Sequence, residues 1–238
     1  MGGTSESVKK VGDLHPLDEA LFKEYPAPLW ESAMRLHHTL INHTTPFFGP
    51  LLYWLIRAIG GIDVVEIGIA QGYTSFFMAS AVKDNNARYK ANGKYVAIDI
   101  ADKHPIFDPL IERGFPIEVW TINSVAVTQE MIKKTFPTGI DLVFQDGWHN
   151  TEHCFKELDI FYPHVKDKGV GYWVMHDVYS WCERFYNKLV KDPRWKLNEC
   201  VRLMNNYGLA ICRKMDNYDY EKIHWIDGDQ PAEKGFVQ

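Results

Sequence analysis

The chain has 238 residues, of which 46% are hydrophobic and 14% aromatic, enough for one α/β domain with a sizeable core. Its formal net charge of −5, with no basic run, argues against nucleic acid as a partner. No stretch resembles a membrane span or a secretory signal, so we expect a cytoplasmic protein that does not bind membranes. The four cysteines show neither a C-x-x-C pair nor metal-ligand spacing, and we expect them to be reduced thiols.

The N-terminal part of the chain is predicted to be helical after a flexible lead. Residues 1–16 are polar and lack hydrophobic periodicity, whereas residues 17–43 repeat apolar side chains at helical spacing. A further helix is expected over residues 49–59, where Gly60 and Gly61 then stop it. We treat residues 17–60 together as an N-terminal helical segment.

From residue 61 onwards, short apolar runs alternate with amphipathic segments. Strands are predicted over residues 63–67, 94–100, 117–121, 140–146, 170–177, 195–204 and 207–214. Helices are predicted over residues 74–82, 105–114, 128–136, 150–165 and 179–191, with a polar turn region over 83–93 and a tail over 215–238. This alternation indicates a Rossmann-like, doubly wound α/β fold, whose seven-stranded sheet is mainly parallel with helices on both faces. Asn205-Asn206 predicts a turn that makes the last two strands an antiparallel hairpin.

The most informative stretch is the first strand and the turn after it. The apolar strand ends in Glu66, and Gly68 and Gly72 then lead into a helix. Glycines let backbone approach a ligand, and the first amides of a helix are unpaired donors. The pattern has one glycine fewer than the G-x-G-x-x-G of dinucleotide folds, and Glu66 would repel a pyrophosphate but attract an ammonium group. This favours a nucleoside cofactor that carries an amino acid.

Polar residues end the other predicted strands, at the edge of the sheet where ligands of doubly wound folds bind. Asp99 ends the second strand, where a carboxylate can accept hydrogen bonds from both ribose hydroxyls. The other polar strand ends are Asn123-Ser124, Asp146 and His176-Asp177.

Together these features resemble class I S-adenosylmethionine-dependent methyltransferases over residues 44–214. Glu66-x-Gly68-x-x-x-Gly72-x-Thr74 resembles the first motif of that family, Asp99 its ribose-binding acid and the hairpin its reversed strand. The resemblance implies a methyltransferase domain over residues 61–214. It also implies a cofactor site made of Glu66, Gly68, Gly72, Tyr73, Thr74, Asp99, Asn123, Ser124, Asp146 and Trp148, with the indole placed to stack on adenine.

A later motif narrows the resemblance to metal-dependent O-methyltransferases of small molecules, of the macrolide-sugar and cephalosporin-pathway type. The motif is Asp146-Gly147-Trp148-His149, followed by the pair His176-Asp177. The resemblance implies that Asp146, His176 and Asp177 hold a divalent cation, Mg²⁺ or Mn²⁺. It further implies that His149 is the general base and that Asp146 belongs to the catalytic set. His176 stands where some relatives have Glu, and a coordinating imidazole would favour Mn²⁺.

These roles suit the chemistry of methyl transfer to oxygen. The hydroxyl must lose its proton as it attacks, and an imidazole with a pKa near neutrality is a suitable acceptor. A cation beside the hydroxyl would lower the pKa of that group. We therefore expect an enzyme that methylates a hydroxyl of a small molecule, such as a sugar or a secondary metabolite. The many aromatic residues would suit a homodimer.

Other functions stay open at this point. An NAD-dependent oxidoreductase would also use Asp99 to bind a ribose, and a metal-dependent oxygenase would use His149, His176 and one carboxylate as a facial triad. A protein that binds S-adenosylmethionine without catalysis would share the same fold. His149 could also serve only to cap the helix that starts near Asn150.

Overall fold

The computed structural model describes residues 48–203 and 207–216, without the side chains of residues 198–200. The predictions of a flexible lead, of a helix over residues 17–43 and of a turn at Asn205-Asn206 lie outside the described residues, as does the tail beyond residue 216. Among the described residues, no helix is long and apolar enough to cross a membrane.

The predicted sheet is present and contains seven strands in the order β3-β2-β1-β4-β5-β7-β6. Strands β1 to β5 pair in parallel, while β7 pairs antiparallel with both β5 and β6. The fold class predicted from the sequence is therefore confirmed. The strands are β1 (Val64–Ile67), β2 (Tyr95–Asp99), β3 (Ile117–Thr121), β4 (Leu142–Gln145), β5 (Tyr172–His176), β6 (Leu197–Leu203) and β7 (Leu209–Lys214).

Helices cover both faces of this sheet. They are α1 (Phe48–Ile59), α2 (Tyr73–Tyr89), α3 (His104–Ile111), α4 (Gln129–Thr135), α5 (Thr151–Phe161) and α6 (Glu183–Leu189). One apolar cluster includes Val65 and Ile67 of β1, and a second includes Val64 with residues of α1 and α2. Because side chains alternate across a strand, Glu66 faces the same side as Val64. A carboxylate is thereby directed into the apolar layer beneath α1 and α2.

Helix α2 is longer than its sequence predicted. Residues 83–93 were expected to form a polar turn region, but the helix continues to Tyr89. Its polar residues face α1: Asn85 donates to the carbonyl oxygens of Ile56 and Gly61 at 3.0 and 2.7 Å, and Tyr53 donates to Asp84 at 2.7 Å. These polar side chains are satisfied by hydrogen bonds to α1 and to the residues that follow it, so the polar sequence is compatible with a packed helix.

Helix α6 starts later than predicted. The expected helix over residues 179–191 is shortened because residues 177–182 form a turn in which the amides of Ser180 and Cys182 both donate to the carbonyl oxygen of Asp177, at 3.0 Å each. Asp177 has a left-handed backbone with φ of 59°, which is uncommon for a residue other than glycine.

The cysteines are not all reduced. Cys154 and Cys182 are free and buried, as expected. Cys212 in β7 is disulfide-bonded, so the expectation of four reduced thiols is wrong at this position.

Candidate active site

The cleft lies where the strand order reverses, between the carboxyl ends of β1 and β4. At this point the two backbones almost touch: a Cβ atom on Gly68 would overlap the carbonyl oxygen of Asp146 and lie 2.6 Å from the Cα atom of Gly147. Gly68 also has φ of 87°, which disfavours any side chain there. The glycine predicted to approach a ligand is therefore also needed to let β1 and β4 meet.

The turn after β1 delivers the amino end of α2 to this edge. Gly72 has φ of 79° and precedes the first helical residue, Tyr73, and its amide donates to the carbonyl oxygen of Ile69 at 2.8 Å. No side chain caps this end of the helix, and the amino end of a helix favours negatively charged or hydrogen-bond-accepting ligand groups. Tyr73 itself is largely buried, its ring packed edge-on against Phe77.

Glu66 is fully buried beneath the turn rather than exposed in it. One carboxylate oxygen accepts a hydrogen bond of 2.6 Å from the hydroxyl of Thr74, and the other accepts a short one from the hydroxyl of Tyr95. Burial raises the pKa of Glu66 from 4.5 to about 7, although the surrounding hydroxyl donors oppose this shift. Glu66 and Thr74, both predicted to bind cofactor, thus bond to each other and tie β1 to α2.

Asp99 ends β2 and lies beside the glycine turn, at the edge of the sheet where the sequence predicted it. One carboxylate oxygen accepts from the amide of Ile69 at 3.0 Å, and the other accepts from the amide of Ala101 at 2.8 Å. The ammonium group of Lys103 lies 3.5 Å away. The side chain is partly exposed, and a carboxylate has lone pairs for further donors. Asp99 can therefore hold the turn and still receive a diol.

The remaining predicted cofactor residues have different surroundings. Asn123 caps a short 3₁₀ turn, Ser124–Ala126, by accepting from the amide of Val125. The hydroxyl of Ser124 donates to Glu157 and lies 3.1 Å from Nε2 of His153, so it is engaged within the protein. Trp148 is 69% exposed beside the cleft. An indole this exposed has a face available for an adenine ring.

Two acids and two histidines meet at the carboxyl ends of β4 and β5. The Nε2 atom of His149 lies 2.8 Å from Oδ2 of Asp177 and 3.6 Å from Oδ1 of Asp146. The Nδ1 atom of His176 lies 3.1 Å from the same Asp146 oxygen and 3.3 Å from the same Asp177 oxygen. All four side chains predicted from the late motifs are thus brought together.

The charges in this cluster support each other. Burial opposes ionisation of His149 and His176, but the two carboxylates outweigh it and raise both pKa values to about 10. Burial likewise favours the neutral form of Asp177, yet the two histidines lower its pKa to about 2. The pKa of Asp146 is lowered in the same way, mainly by His176. The cluster therefore favours positive charge beside its carboxylates, whether protons or a cation supply it.

The cluster also has the donors of a cation site. Ligand atoms of Asp146, His149 and Asp177 all lie within 4.8 Å of one another. The Nε2 atom of His149 and both ring nitrogens of His176 are buried, yet none is aligned for a hydrogen bond. Converging oxygen and nitrogen atoms that do not bond to one another suit a shared cation. In this triad the histidine is His149, whereas the sequence predicted His176.

The sequence did not predict Glu157 as a site residue. This fully buried carboxylate accepts from Ser124, and from Gln145 at 2.7 Å, and lies 3.1 Å from Nε2 of His153. It thereby joins the ends of β3 and β4 from beneath. An acid at helical spacing between the apolar Cys154 and Phe161 was the signal for it, because an isolated charge on a buried face needs partners.

The chain was compared with families of known proteins and with solved structures. Residues 65–178 match the family model described as a methyltransferase domain. No curated protein shows significant sequence similarity to the chain.

Solved methyltransferase structures share the fold. A Staphylococcus aureus protein assigned as a caffeoyl-CoA O-methyltransferase has 17% identity and a TM-score of 0.60, with 83% of this chain and 97% of that chain covered. The O-methyltransferase of Bacillus cereus, in complex with SAH, has 16% identity and a TM-score of 0.56, with 86% and 100% covered. The O-methyltransferase TomG of Streptomyces achromogenes, involved in tomaymycin synthesis and solved with SAM, has 16% identity and a TM-score of 0.58, with 84% and 96% covered.

Residues 65–178, which include the glycine turn, Asp99 and the acid–histidine cluster, thus match a methyltransferase domain. The predicted resemblance to S-adenosylmethionine-dependent methyltransferases is confirmed, and the oxidoreductase and oxygenase alternatives are set aside.

We expect Glu66→Gln to change the pH dependence of stability. Because the pKa of Glu66 is raised from 4.5 to about 7, the folded chain holds a proton that the unfolded chain has lost, and wild-type stability falls as pH rises across that window. Glutamine cannot ionise. The free energy of unfolding of the variant, relative to that of the wild type, should therefore rise by up to about 3 kcal/mol between about pH 5 and about pH 8.

Urea denaturation of both proteins at the two pH values measures this gain. Glu118→Gln is the control: the hydrogen bond from Lys94 helps to lower the pKa of Glu118 in the folded chain, so this residue is ionised there throughout the window and its folded chain holds no extra proton. If the free energies of unfolding of the wild type and of Glu66→Gln differ by the same amount at both pH values, the expectation is contradicted.

Proposed function

We propose that this protein transfers a methyl group from S-adenosylmethionine to a hydroxyl of a small molecule, with His149 as the general base and a divalent cation at the adjacent acids. The observation that carries the proposal is the meeting of Asp146, His149 and Asp177 beside the glycine turn of a methyltransferase domain. A sugar or another secondary metabolite is the acceptor class that we propose.

The cofactor half of the proposal depends on the turn and on Asp99. The amino end of α2, which no side chain caps, would provide donors for the amino-acid part of the cofactor, and the contact of Gly68 with the backbone of Asp146 and Gly147 places the turn before that helix at the cleft. Asp99, held against the turn by the amide of Ile69, would accept the ribose hydroxyls. The Bacillus cereus and Streptomyces achromogenes structures contain SAH and SAM, which supports this cofactor. Glu66 would act from below, through Thr74, since both its oxygens are engaged.

The choice of an oxygen acceptor follows from the polar cluster. A hydroxyl becomes a nucleophile when it loses its proton as it attacks the methyl carbon, which requires a base within hydrogen-bond reach. His149 is the more accessible of the two histidines: 30% of its side chain is exposed, against 2% for His176. Its Nε2 atom is buried against Asp177, so an acceptor that enters from the cleft would meet the exposed part of the ring. His176 faces the interior, where Phe48 packs edge-on against its ring.

The residues present fit a divalent cation. We propose that Asp146 and Asp177 hold it together with an imidazole nitrogen of His176, which leaves His149 for the acceptor. When bound there, Mg²⁺ or Mn²⁺ would lower the pKa of the acceptor hydroxyl. The charge of the cation on the two carboxylates would also oppose protonation of His149, which must be neutral to act as a base and whose pKa is otherwise raised to about 10 by Asp146 and Asp177. Asp146 would then link the two halves of the site, because its backbone borders Gly68 and its side chain faces both histidines.

The cofactor site is tested by Asp99→Ala. Removal of a charged acceptor of two hydroxyl hydrogen bonds should weaken binding of S-adenosylhomocysteine about 10- to 100-fold. Isothermal titration calorimetry measures this affinity, and Asp108→Ala is the control because Asp108 is exposed on α3 and pairs there with His104. Saturable binding that Asp99→Ala leaves unchanged would contradict the assignment of Asp99.

The cation is tested by chelation and by Asp177→Asn. EDTA should abolish methyl transfer from radiolabelled S-adenosylmethionine to a panel of phenolic and sugar acceptors, and Mg²⁺ or Mn²⁺ should restore it. Asp177→Asn should weaken Mn²⁺ binding, followed by electron paramagnetic resonance, by about tenfold or more, whereas Asp108→Asn should not. Full activity in EDTA would rule out a required cation.

The base is tested by His149→Ala. Loss of a general base should lower kcat by about 100-fold or more, while affinity for S-adenosylhomocysteine stays close to that of the wild type. The same variant separates the two roles open to this histidine: unchanged Mn²⁺ affinity supports a base, whereas weakened Mn²⁺ affinity makes His149 a ligand. Turnover that does not fall would remove it from the mechanism.

A further inference from the structure

A stack of three aromatic rings ends on His149. The imidazole of His149 lies face to face with the indole of Trp181, with centroids 5.2 Å apart and planes 21° apart. Trp181 in turn stacks on the phenol ring of Tyr207, with centroids 5.4 Å and planes 11° apart. We call these three side chains the ring stack. Trp181 lies in the middle of it, although 52% of its surface is exposed.

The turn that carries Trp181 also carries Asp177. The amides of Ser180 and Cys182, on either side of Trp181, both donate to the carbonyl oxygen of Asp177. Asp177 itself has the left-handed φ of 59°, a conformation that surrounding contacts must maintain. The backbone at Trp181 and the backbone at Asp177, the acid that faces His149, are therefore held together by one set of hydrogen bonds.

The β6–β7 hairpin holds this turn from the other side. The amide of Tyr179 donates to the carbonyl oxygen of Tyr207 at 2.8 Å. Gly208 allows that contact, because its φ is +85° and a Cβ atom there would overlap the ring of Tyr179. Arg202 of β6 donates to the carbonyl oxygen of Val178 at 3.0 Å, with its guanidinium 3.8 Å above the Tyr179 ring. Tyr207 is thereby anchored against the turn on which Trp181 stands.

His149 needs such support because its own segment provides little. It lies between β4 and α5, in a stretch with no regular secondary structure, and the neighbouring Asn150 is used to cap α5. The terminal torsion of an imidazole has a broad energy profile, so contacts decide the ring plane. Rotation of that plane would move Nε2 away from Asp146 and Asp177.

We propose that Trp181, supported by Tyr207, is a positioning residue that sets the plane of the His149 ring. The indole covers one face of the imidazole and leaves its edge directed at the two carboxylates. The consequence for methyl transfer rests on the proposed function of His149, whereas the orientation itself does not. Offset stacking of two rings contributes about 0.5–1.5 kcal/mol, enough to bias a free torsion strongly toward one plane.

The orientation is tested by nuclear magnetic resonance of the histidine side chains in the full-length, EDTA-treated protein at one fixed pH. The His149 signals are identified by their absence in His149→Gln. An indole face shields the protons above it, so the His149 ring protons should be displaced upfield in the wild type. Trp181→Ala should abolish that displacement and Trp181→Phe should retain part of it.

The catalytic consequence is tested in the same variants with the acceptor from the panel that gives turnover. Trp181→Ala should lower kcat about tenfold, because small displacements of a catalytic group have effects of this order. Trp181→Phe should rescue most of the loss, Tyr207→Leu should lower kcat by a smaller factor and Tyr207→Phe should match the wild type. Trp54→Ala, which removes an indole of similar exposure (48%) from α1, should change neither kcat nor the His149 signals.

Two results would overturn the proposal: His149 signals that Trp181→Ala does not move, or a kcat that is the same for Trp181→Ala and the wild type. Binding of S-adenosylhomocysteine and thermal unfolding, measured for every variant, separate positioning from misfolding, and rescue by Trp181→Phe supports positioning. If the wild type shows no methyl transfer to any acceptor, the proposed function fails, but the resonance experiment still decides whether the ring stack orients His149.

Discussion

The contact between Gly68 and the backbone of Asp146 and Gly147 is the constraint on which the rest of the site depends. It allows β1 and β4 to lie side by side at the point where the strand order reverses, which is where a doubly wound fold opens a cleft. The same contact joins two parts of the site, because Gly68 begins the turn toward α2 and Asp146 is the first residue of the acid–histidine cluster. A side chain at position 68 would separate them, since its Cβ atom would occupy the space of the Asp146 carbonyl oxygen.

The acids of the site fall into two groups whose pKa values are shifted in opposite directions. Glu66 is fully buried, and the described residues that donate to its carboxylate are the neutral hydroxyls of Thr74 and Tyr95, so burial dominates and its pKa rises to about 7. Asp146 and Asp177 are close to two imidazoles, so attraction dominates and their pKa values fall. The acid under the glycine turn therefore works mainly through hydrogen bonds from Thr74 and Tyr95, whereas the acids of the cluster work through charge. Glu66 and Asp146 lie at the ends of neighbouring strands and both carry a carboxylate, yet their surroundings shift their pKa values in opposite directions.

The sequence predicted most of the sheet and the members of the polar cluster, because both depend on local patterns. Apolar runs identified all seven strands to within a few residues, and the ends of parallel strands had to share one edge. The predictions that were wrong concern contacts between distant segments. The polar residues 83–89 are helical because Asn85 bonds to Ile56 and Gly61. The sequence predicted Glu66 as a cofactor-binding residue, and the fold adds that this carboxylate points into the layer under α1 and α2.

The role of the hairpin could not be read from local patterns for a topological reason. Because β7 runs antiparallel to β5, its first residue, Leu209, pairs with His176, the last residue of β5. The segment that precedes β7 is therefore placed at the carboxyl edge of the sheet, where parallel strands place the segments that follow them. Tyr207 reaches the turn after Asp177 in this way, although the two are 30 residues apart in the sequence. A reversed last strand thus adds the amino end of one strand to a cleft otherwise built from carboxyl ends, and it supports the turn that follows β5 beside the acid–histidine cluster.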